Sequence, residues 1–509
     1  MIRVYYGDTV AGQFPWNGEA CTLAQVLTNS GLGMDMPCGG RGRCGKCKVQ
    51  ATGDICPMDA QEREKLTLAE IQTGFRLACK AVICGENVQI TVPTSGALQV
   101  ELGTVSGDMA WSPWASGLGL SVDIGTTTVA AYLWDLDCRR PLGVSACKNP
   151  QECFGADVIS RLETSLKGEG PALQACIRQC LADLASELCD KAERSPREIT
   201  GAVITGNTSM LYLLCGYEVR DLAFAPFSAN HRFGEYMTAL ELGFPWNKDC
   251  RIYLPPCISA YVGADISCGL LACDVLSHPG SALLADVGTN GEIVLLYGGK
   301  LLCCATAAGP AFEGVGISCG SSAVPGAIDR VELRDGRLQI HTIAEQPAES
   351  LCGSGLMDAV SCLVQRGDIE DTGFMETEAI PLSGSIALTR SDIRAFQLAK
   401  SAVCAGIETL LATAGISPDK IDTVWLSGGF GSKLSADSAA SIGLFPAILS
   451  EKAIPAGNTA ASGAARLLCD SNALIEIRKI ADLAETVELA NNPVFQEKFM
   501  ENMMLGEVR

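Results

Sequence analysis

Leu120-Ser-Val-Asp123-Ile-Gly125-Thr126-Thr127-Thr128 and Leu283-Leu-Ala-Asp286-Val-Gly288-Thr289-Asn290-Gly291 are near-copies of one another. Each is an apolar strand running into Asp-x-Gly-Thr, and each is followed by a second apolar strand, Thr128-Val-Ala-Ala-Tyr-Leu-Trp and Glu292-Ile-Val-Leu-Leu-Tyr. A tight glycine turn between two strands brings backbone N–H and Thr hydroxyl groups to phosphate oxygens. The Asp at the strand end can hold Mg²⁺ through water, because that ion keeps much of its hydration. One Asp-x-Gly is also ordinary hairpin chemistry. Two copies on apolar strands predict a duplicated α/β domain whose hairpins grip the β- and γ-phosphates of a nucleotide from opposite sides. Its halves are expected over 118–280 and 281–473.

Working outward, Thr423-Val-Trp-Leu-Ser427-Gly428-Gly429-Phe430-Gly431 is another apolar strand entering a glycine pair, where backbone without side chains can approach an adenosine. A buried strand with a glycine turn is the plain alternative. No G-x-x-x-x-G-K-[ST] string occurs, which excludes a P-loop. Gln397 and Lys400 share one face of a predicted helix. They are expected either to contact adenine and ribose or to form a solvated helix face. Asp265 and Glu313 are candidates for orienting an attacking water, beside Asp123 and Asp286 as the Mg²⁺-organising pair. The segment 474–509 has charged and apolar residues at helical spacing and is expected to pack back on the body.

The N-terminal 1–93 reads differently: Ile2-Arg-Val-Tyr-Tyr alternates as a strand, a short helix spans Thr22 to Ser30, and Asn87-Val-Gln-Ile-Thr-Val closes the unit. Between them lies Cys38-Gly-Gly-Arg-Gly-Arg-Cys44-Gly-Lys-Cys47, with Cys79 following in Arg76-Leu-Ala-Cys. Plant-type [2Fe–2S] ferredoxins use C-x4-C-x2-C and a distant fourth cysteine. This C-x5-C-x2-C departs by one inserted residue. The glycines let backbone N–H groups turn toward sulfur, and the Arg and Lys residues offset an anionic cluster. Cys38, Cys44, Cys47 and Cys79 are therefore the candidate [2Fe–2S] ligands, with Cys84 the rival for the fourth place. A zinc site would want a second C-x2-C knuckle. Residues 94–117 read as a linker that Trp111 and Trp114 dock on a neighbour.

Bulk properties bound the function classes. A chain of 509 residues exceeds what one core usually serves. A formal charge of −20 argues against nucleic acid and anionic membranes as partners. The 25 cysteines lack secreted-domain spacing, and no signal peptide is visible, so most are expected as buried thiols in a reducing, anaerobic cytoplasm. No apolar run is expected to reach the roughly 18–20 residues of a membrane span. Only His231, His278 and His341 are present, too few and too scattered for histidine chemistry.

The phosphate hairpins and the glycine pair resemble the acetate/sugar kinase, heat-shock chaperone and actin superfamily. More narrowly, the chain resembles the reductive activators of corrinoid proteins, in which an N-terminal ferredoxin-like domain is joined to such an ATPase. Further matches are Gly206-Asn-Thr-Ser-Met, Phe224-Ala-Pro-Phe, Tyr261-Val-Gly-Ala-Asp265, Ala307-Ala-Gly-Pro-Ala-Phe-Glu313-Gly, Leu351-Cys-Gly-Ser-Gly355-Leu, Asp392-Ile-Arg-Ala-Phe-Gln397-Leu-Ala-Lys400 and Glu488-Leu-Ala-Asn-Asn-Pro-Val-Phe. The resemblance implies a β-grasp, ferredoxin-like domain followed by an actin-like (ribonuclease H-like) ATPase. It also implies ATP, Mg²⁺ and a [2Fe–2S] cluster as cofactors. Its implied activity is ATP-dependent, one-electron reduction of Co(II) to Co(I) in a corrinoid protein of a methyltransferase system such as O-demethylation, fed by a low-potential donor. Radical-dehydratase activators, a redox-regulated small-molecule kinase and a chaperone-like module remain as alternatives. The short linker leaves little room for the additional middle domain that some relatives carry.

Overall fold

The computed structural model describes residues 1–6, 9–16, 18, 20–29, 40, 42, 45, 47–92, 111–428 and 434–508. Cys38, Cys44, Gly429 and most of the expected linker lie outside them. The chain forms two compact units, residues 1–96 with 150–176, and residues 97–149 with 177–509.

In the first unit, the Ile2–Tyr6 strand pairs antiparallel with Thr9–Phe14 and parallel with Val82–Val92. Lys48–Ile55 continues the sheet, antiparallel to both Val82–Val92 and Phe75–Leu77. The Leu23–Asn29 helix covers one face through buried Leu23 and Leu27, against Val4, Val49, Ile83 and Ile90. This is the grasp-like α+β arrangement that the family resemblance implies. A buried ion pair fixes its lower edge: Arg76 donates to Glu62 at 2.9 and 2.7 Å, and the Leu77 N–H donates to the same carboxylate at 2.9 Å. With its partners satisfied, the buried pair holds the strand that leads into Cys79.

The second unit contains the duplication. One sheet runs Arg251–Leu254, Ile199–Gly206, Leu118–Ile124, Thr128–Asp135, Arg140–Lys148, with Glu235–Thr238 added at its outer edge. The other runs Ala453–Gly457, Thr423–Gly428, Ala282–Val287, Gly291–Tyr297, Lys300–Thr306, with Ala484–Thr486 at the far edge. In both, a three-stranded antiparallel meander is extended by two parallel strands. The two Asp-x-Gly-Thr turns therefore occupy equivalent places.

Between these sheets pack the Ala264–Ala272 and Thr459–Cys469 helices. They touch closely, since a Cβ on Gly463 would stand 2.0 Å from the Cys268 carbonyl oxygen. Trp111 lies against Trp134, and the Trp114 indole donates to the Leu467 carbonyl at 2.8 Å, so both tryptophans dock as the sequence implied. The C-terminal segment forms the Ala473–Leu483 and Pro493–Glu501 helices. One helix, Arg390–Ala414, is long and apolar enough by length and composition to cross a membrane, which corrects the expectation that no run reached that length. Its most apolar stretch is 78% buried, as a core helix is.

Candidate functional site

Each hairpin is built by its own backbone. Gly125 N–H donates to the Thr128 carbonyl at 2.9 Å, and Gly288 N–H to the Asn290 carbonyl at 2.9 Å. Asp123 and Asp286 stand near the ends of their strands, one residue before the last. Asp123 accepts from the Asn458 amide at 2.9 Å. Asp286 accepts from the Ser427 hydroxyl at 2.9 Å, and that hydroxyl also lies 2.7 Å from Thr459. Burial pushes Asp123 up to about 6; the Asn458 amide pulls it back and the Asp286 charge adds to the push. Burial raises Asp286 to about 6 as well, opposed by the Ser427 hydrogen bond and reinforced by Glu313.

Asp265 sits in the first turn of the Ala264–Ala272 helix. Its carboxyl rises to about 8 through burial, and the charges of Asp286 and Asp123 push the same way. Glu292, buried on the second hairpin's outgoing strand, is raised by burial and then by Asp265 and Asp286, with an Asn290 hydrogen bond opposing. Four carboxylates thus crowd one place, and their mutual repulsion is what a cation relieves. Among the described residues no group of three or more His, Cys, Asp or Glu side chains is placed to hold a metal ion. An Mg²⁺ ion needs fewer protein ligands than that, since it keeps several waters and takes one or two carboxylates plus substrate phosphate.

Glu313 links the two hairpins. Its carboxylate accepts from the Thr127 hydroxyl, from the Thr289 hydroxyl at 2.6 Å and from the Thr289 N–H at 3.3 Å. Thr126 is buried and receives the Asn207 amide at 3.2 Å. Thr128 and Gly291 open the outgoing strands.

Gly428 has a different local reason from the one the sequence suggested. Its φ is +120°, and a Cβ would meet the Val287 carbonyl oxygen at 2.3 Å. Strand-to-strand approach alone thus demands glycine there, whatever stands beyond it. Gln397 and Lys400 are corrected more strongly. Both are buried, so they do not form a solvated face. Gln397 donates to the Thr372 carbonyl at 3.0 Å and the Met503 carbonyl at 2.7 Å, while Lys400 donates to the Gly443 and Met504 carbonyls. An adenine or ribose contact would require those bonds to break. The i, i+3 spacing placed them on a common face, but the burying segment lies far along the chain and left no local signal.

Sequence reasoning missed Asn458, Ser427, Thr459, Asn207 and Glu292. One signal was present. Gly457-Asn458-Thr459 repeats Gly206-Asn207-Thr208, and in both copies the Asn caps a helix while its amide reaches a hairpin residue.

In the first unit, Cys47 and Cys79 sulfurs lie 3.2 Å apart. The Ala78 N–H donates to the Cys47 carbonyl at 2.8 Å, which holds the two segments together. Cys79 is lowered to about 7, first by the Cys47 contact, against burial, with the Gly42 N–H and Lys80 helping. Thiolate character next to a backbone donor is what a cluster-ligating cysteine needs. Cys84 is exposed and its thiol interacts with Cys56, so it stands apart from that pair.

Residues 9–84 match the 2Fe-2S iron-sulfur cluster binding domain, 118–278 the RACo middle region, and 280–508 the C-terminal domain of RACo, the ASKHA domain. The chain is 30% identical over 421 residues to the corrinoid activation enzyme RamQ of Eubacterium limosum, covering 76% of this chain and 70% of that protein. It is 27% identical to the [Co(II) methylated amine-specific corrinoid protein] reductase of Methanosarcina barkeri, covering 75% and 76%. A solved reductive activator for corrinoid, iron-sulfur protein superposes with a TM-score of 0.74 at 25% identity, covering 99% of this chain and 98% of that one. A ferredoxin-type cluster domain and an ASKHA ATPase are thus joined in one chain.

Proposed function

The chain belongs to the RACo family of corrinoid activators, and from that premise we propose that it reduces the inactive Co(II) of a corrinoid protein to Co(I) at the expense of ATP. The joining of a cluster-type cysteine pair to two facing phosphate hairpins supports this reading, together with alignment over 76% of the chain to an enzyme named for corrinoid activation. The [2Fe–2S] cluster, when bound, supplies one-electron transfer. Cys38, Cys44, Cys47 and Cys79 are the proposed ligands, the thiol contact between Cys47 and Cys79 favouring Cys79 over Cys84.

In the ATPase, Asp123 and Asp286 hold the hydrated Mg²⁺. Thr126, Thr127, Thr128, Thr289 and Asn290 present donors to phosphate, while Gly125, Gly288 and Gly291 form the turns that carry them. Asp265 and Glu313 orient water, and Gly428 and Gly429 border the adenosine. The nucleotide biases the protein between states of different affinity for the Co(II) partner, which is how a ligand performs work on an equilibrium. The domain bounds fitting this division are 1–93, 94–117, 118–280, 281–473 and 474–509. The partner is a corrinoid protein of a methyltransferase system, supplied by a low-potential donor in an anaerobic cytoplasm.

The test is anaerobic visible spectroscopy of the protein with a Co(II) corrinoid protein, a low-potential reductant and Mg²⁺·ATP. A Co(I) band that appears only with ATP is expected. A bleachable cluster with no Co(I) across several corrinoid partners overturns the substrate and leaves an ATPase with a redox module.

A further inference from the structure

The donors that face Glu313 are the ones the hairpins offer to phosphate. Thr127 and Thr289 hydroxyls and the Thr289 N–H all converge on its carboxylate. A carboxylate that accepts a hydroxyl from each of two opposed turns on one oxygen, and a backbone N–H from the second turn on the other, imitates a bound phosphate.

Glycines bound the segment that carries Glu313. It is the short turn Pro310–Glu313, flanked by Gly309 at φ 80° and Gly314 at φ 75°. Gly309 N–H donates to the Thr289 carbonyl at 2.9 Å, tying the turn's start to the second hairpin. The space around Gly309 is open, whereas a Cβ on Gly314 would meet the Ser321 carbonyl oxygen at 2.3 Å. The turn is thus held at both ends, by the Gly309–Thr289 hydrogen bond and by the close approach of Gly314 to Ser321. Its neighbouring side chain, buried Phe312, meets Phe396 edge-on at 5.6 Å, on the Arg390–Ala414 helix.

We propose that Glu313 is an internal anion that occupies the phosphate donors of both hairpins in the ligand-free protein and is displaced by nucleotide phosphate. Glu313 thereby sets nucleotide affinity, and its release moves Phe312 against the Arg390–Ala414 helix. The inference rests on the ATPase reading of this cleft. Competition of this kind lowers apparent affinity by the fraction of molecules in which the donors are free.

Calorimetric titration of the cluster-loaded protein with Mg²⁺·ADP and a non-hydrolysable ATP analogue tests it, in wild type, Glu313→Ala and Glu313→Gln. Ala removes the competitor, so binding should tighten about tenfold, with Gln intermediate because its amide keeps an acceptor but not the charge. The gain should persist at about 0.5 M salt, where simple repulsion between nucleotide and a nearby carboxylate is screened. Amide exchange in residues 311–313 and 393–400 of ligand-free Glu313→Ala should match that of nucleotide-bound wild type. If the Ala protein does not fold, the isosteric Gln variant carries the test. Wild type that binds nucleotide while neither variant binds more tightly overturns the inference alone. Wild type that binds no nucleotide overturns the ATPase reading and the inference together.

Discussion

Thr127 and Thr289 donate their hydroxyls to one and the same oxygen, Oε2 of Glu313. The first threonine belongs to the leading copy of the duplicated hairpin and the second to the trailing copy. A single carboxylate therefore senses both halves of the ATPase at once. The same convergence brings the two hairpins to a common point.

Asp286 should be indispensable for hydrolysis. Asp286→Ala is expected to lower ATP turnover at least about a hundredfold, the scale on which loss of a charge-organising group acts. The cluster spectrum should be untouched, because Asp286 belongs to the other unit. Steady-state ATPase assays decide the matter, and normal hydrolysis by the variant would remove Asp286 from the site.

Cys79 and Cys84 should separate cleanly. Cys79→Ser is expected to lose the visible [2Fe–2S] absorption or leave a labile cluster, since Cys79 is the residue in contact with Cys47. Cys84→Ser should keep the wild-type spectrum. The reverse pattern would make Cys84 the fourth ligand.

Asn458 has two functions that one substitution can divide. Its Oδ1 accepts from the Ala461 N–H at 2.8 Å as a helix cap, and its Nδ2 donates to Asp123. Asn458→Ala should cost about 1 kcal/mol or more through the lost cap and also slow hydrolysis. Asn458→Ser keeps a capping oxygen without the amide donor. Its melting temperature should recover while its turnover stays low.

The ligand-free ATPase should be more stable at pH 6 than at pH 8. Asp123 and Asp286 lie near 6 and Asp265 near 8, all above the ordinary aspartate value. Groups with raised folded values bind protons more tightly in the folded state. The stability they contribute is full below the unfolded value and is lost as pH rises through the folded one. Thermal melting followed by the fluorescence of Trp134, Trp246 and Trp425 should show a rising midpoint as pH falls across this window. Saturating Mg²⁺·nucleotide should flatten the trend, and a midpoint that falls instead would contradict the charge crowding.

Gln397→Ala should destabilise the ATPase by roughly 1–3 kcal/mol, the range for leaving buried carbonyls without a donor. Nucleotide affinity should stay near wild type. A large affinity loss with normal melting would restore Gln397 to the nucleotide site.

The duplication was legible because each copy keeps an apolar strand, an acid and a glycine turn in register, and register follows from a local pattern. The N-terminal unit was legible as a small β-rich unit from its alternating strands around a cysteine loop, and the family resemblance supplied its grasp-like fold. Asn458 and Ser427 were hidden for the opposite reason. Each reaches its aspartate across a long stretch of chain, and no local periodicity encodes such a meeting. Gln397 and Lys400 show the hazard in that: a helical spacing gave the correct shared face and the wrong company.

That company has a consequence for biosynthesis. Lys400 is fully enclosed and its ammonium donates to the Gly443 and Met504 carbonyls, the second of them near the end of the chain, while Ser401 donates to the Phe499 carbonyl. During vectorial synthesis the Arg390–Ala414 helix emerges about a hundred residues before the Phe499 and Met504 carbonyls, so its lysine must wait, hydrated, in an unfinished half. A ribosome that stops short of Met503 would release a polypeptide whose first phosphate hairpin is intact and whose second half cannot close over its own charge. Such a product is a substrate for proteolysis rather than a weakened enzyme.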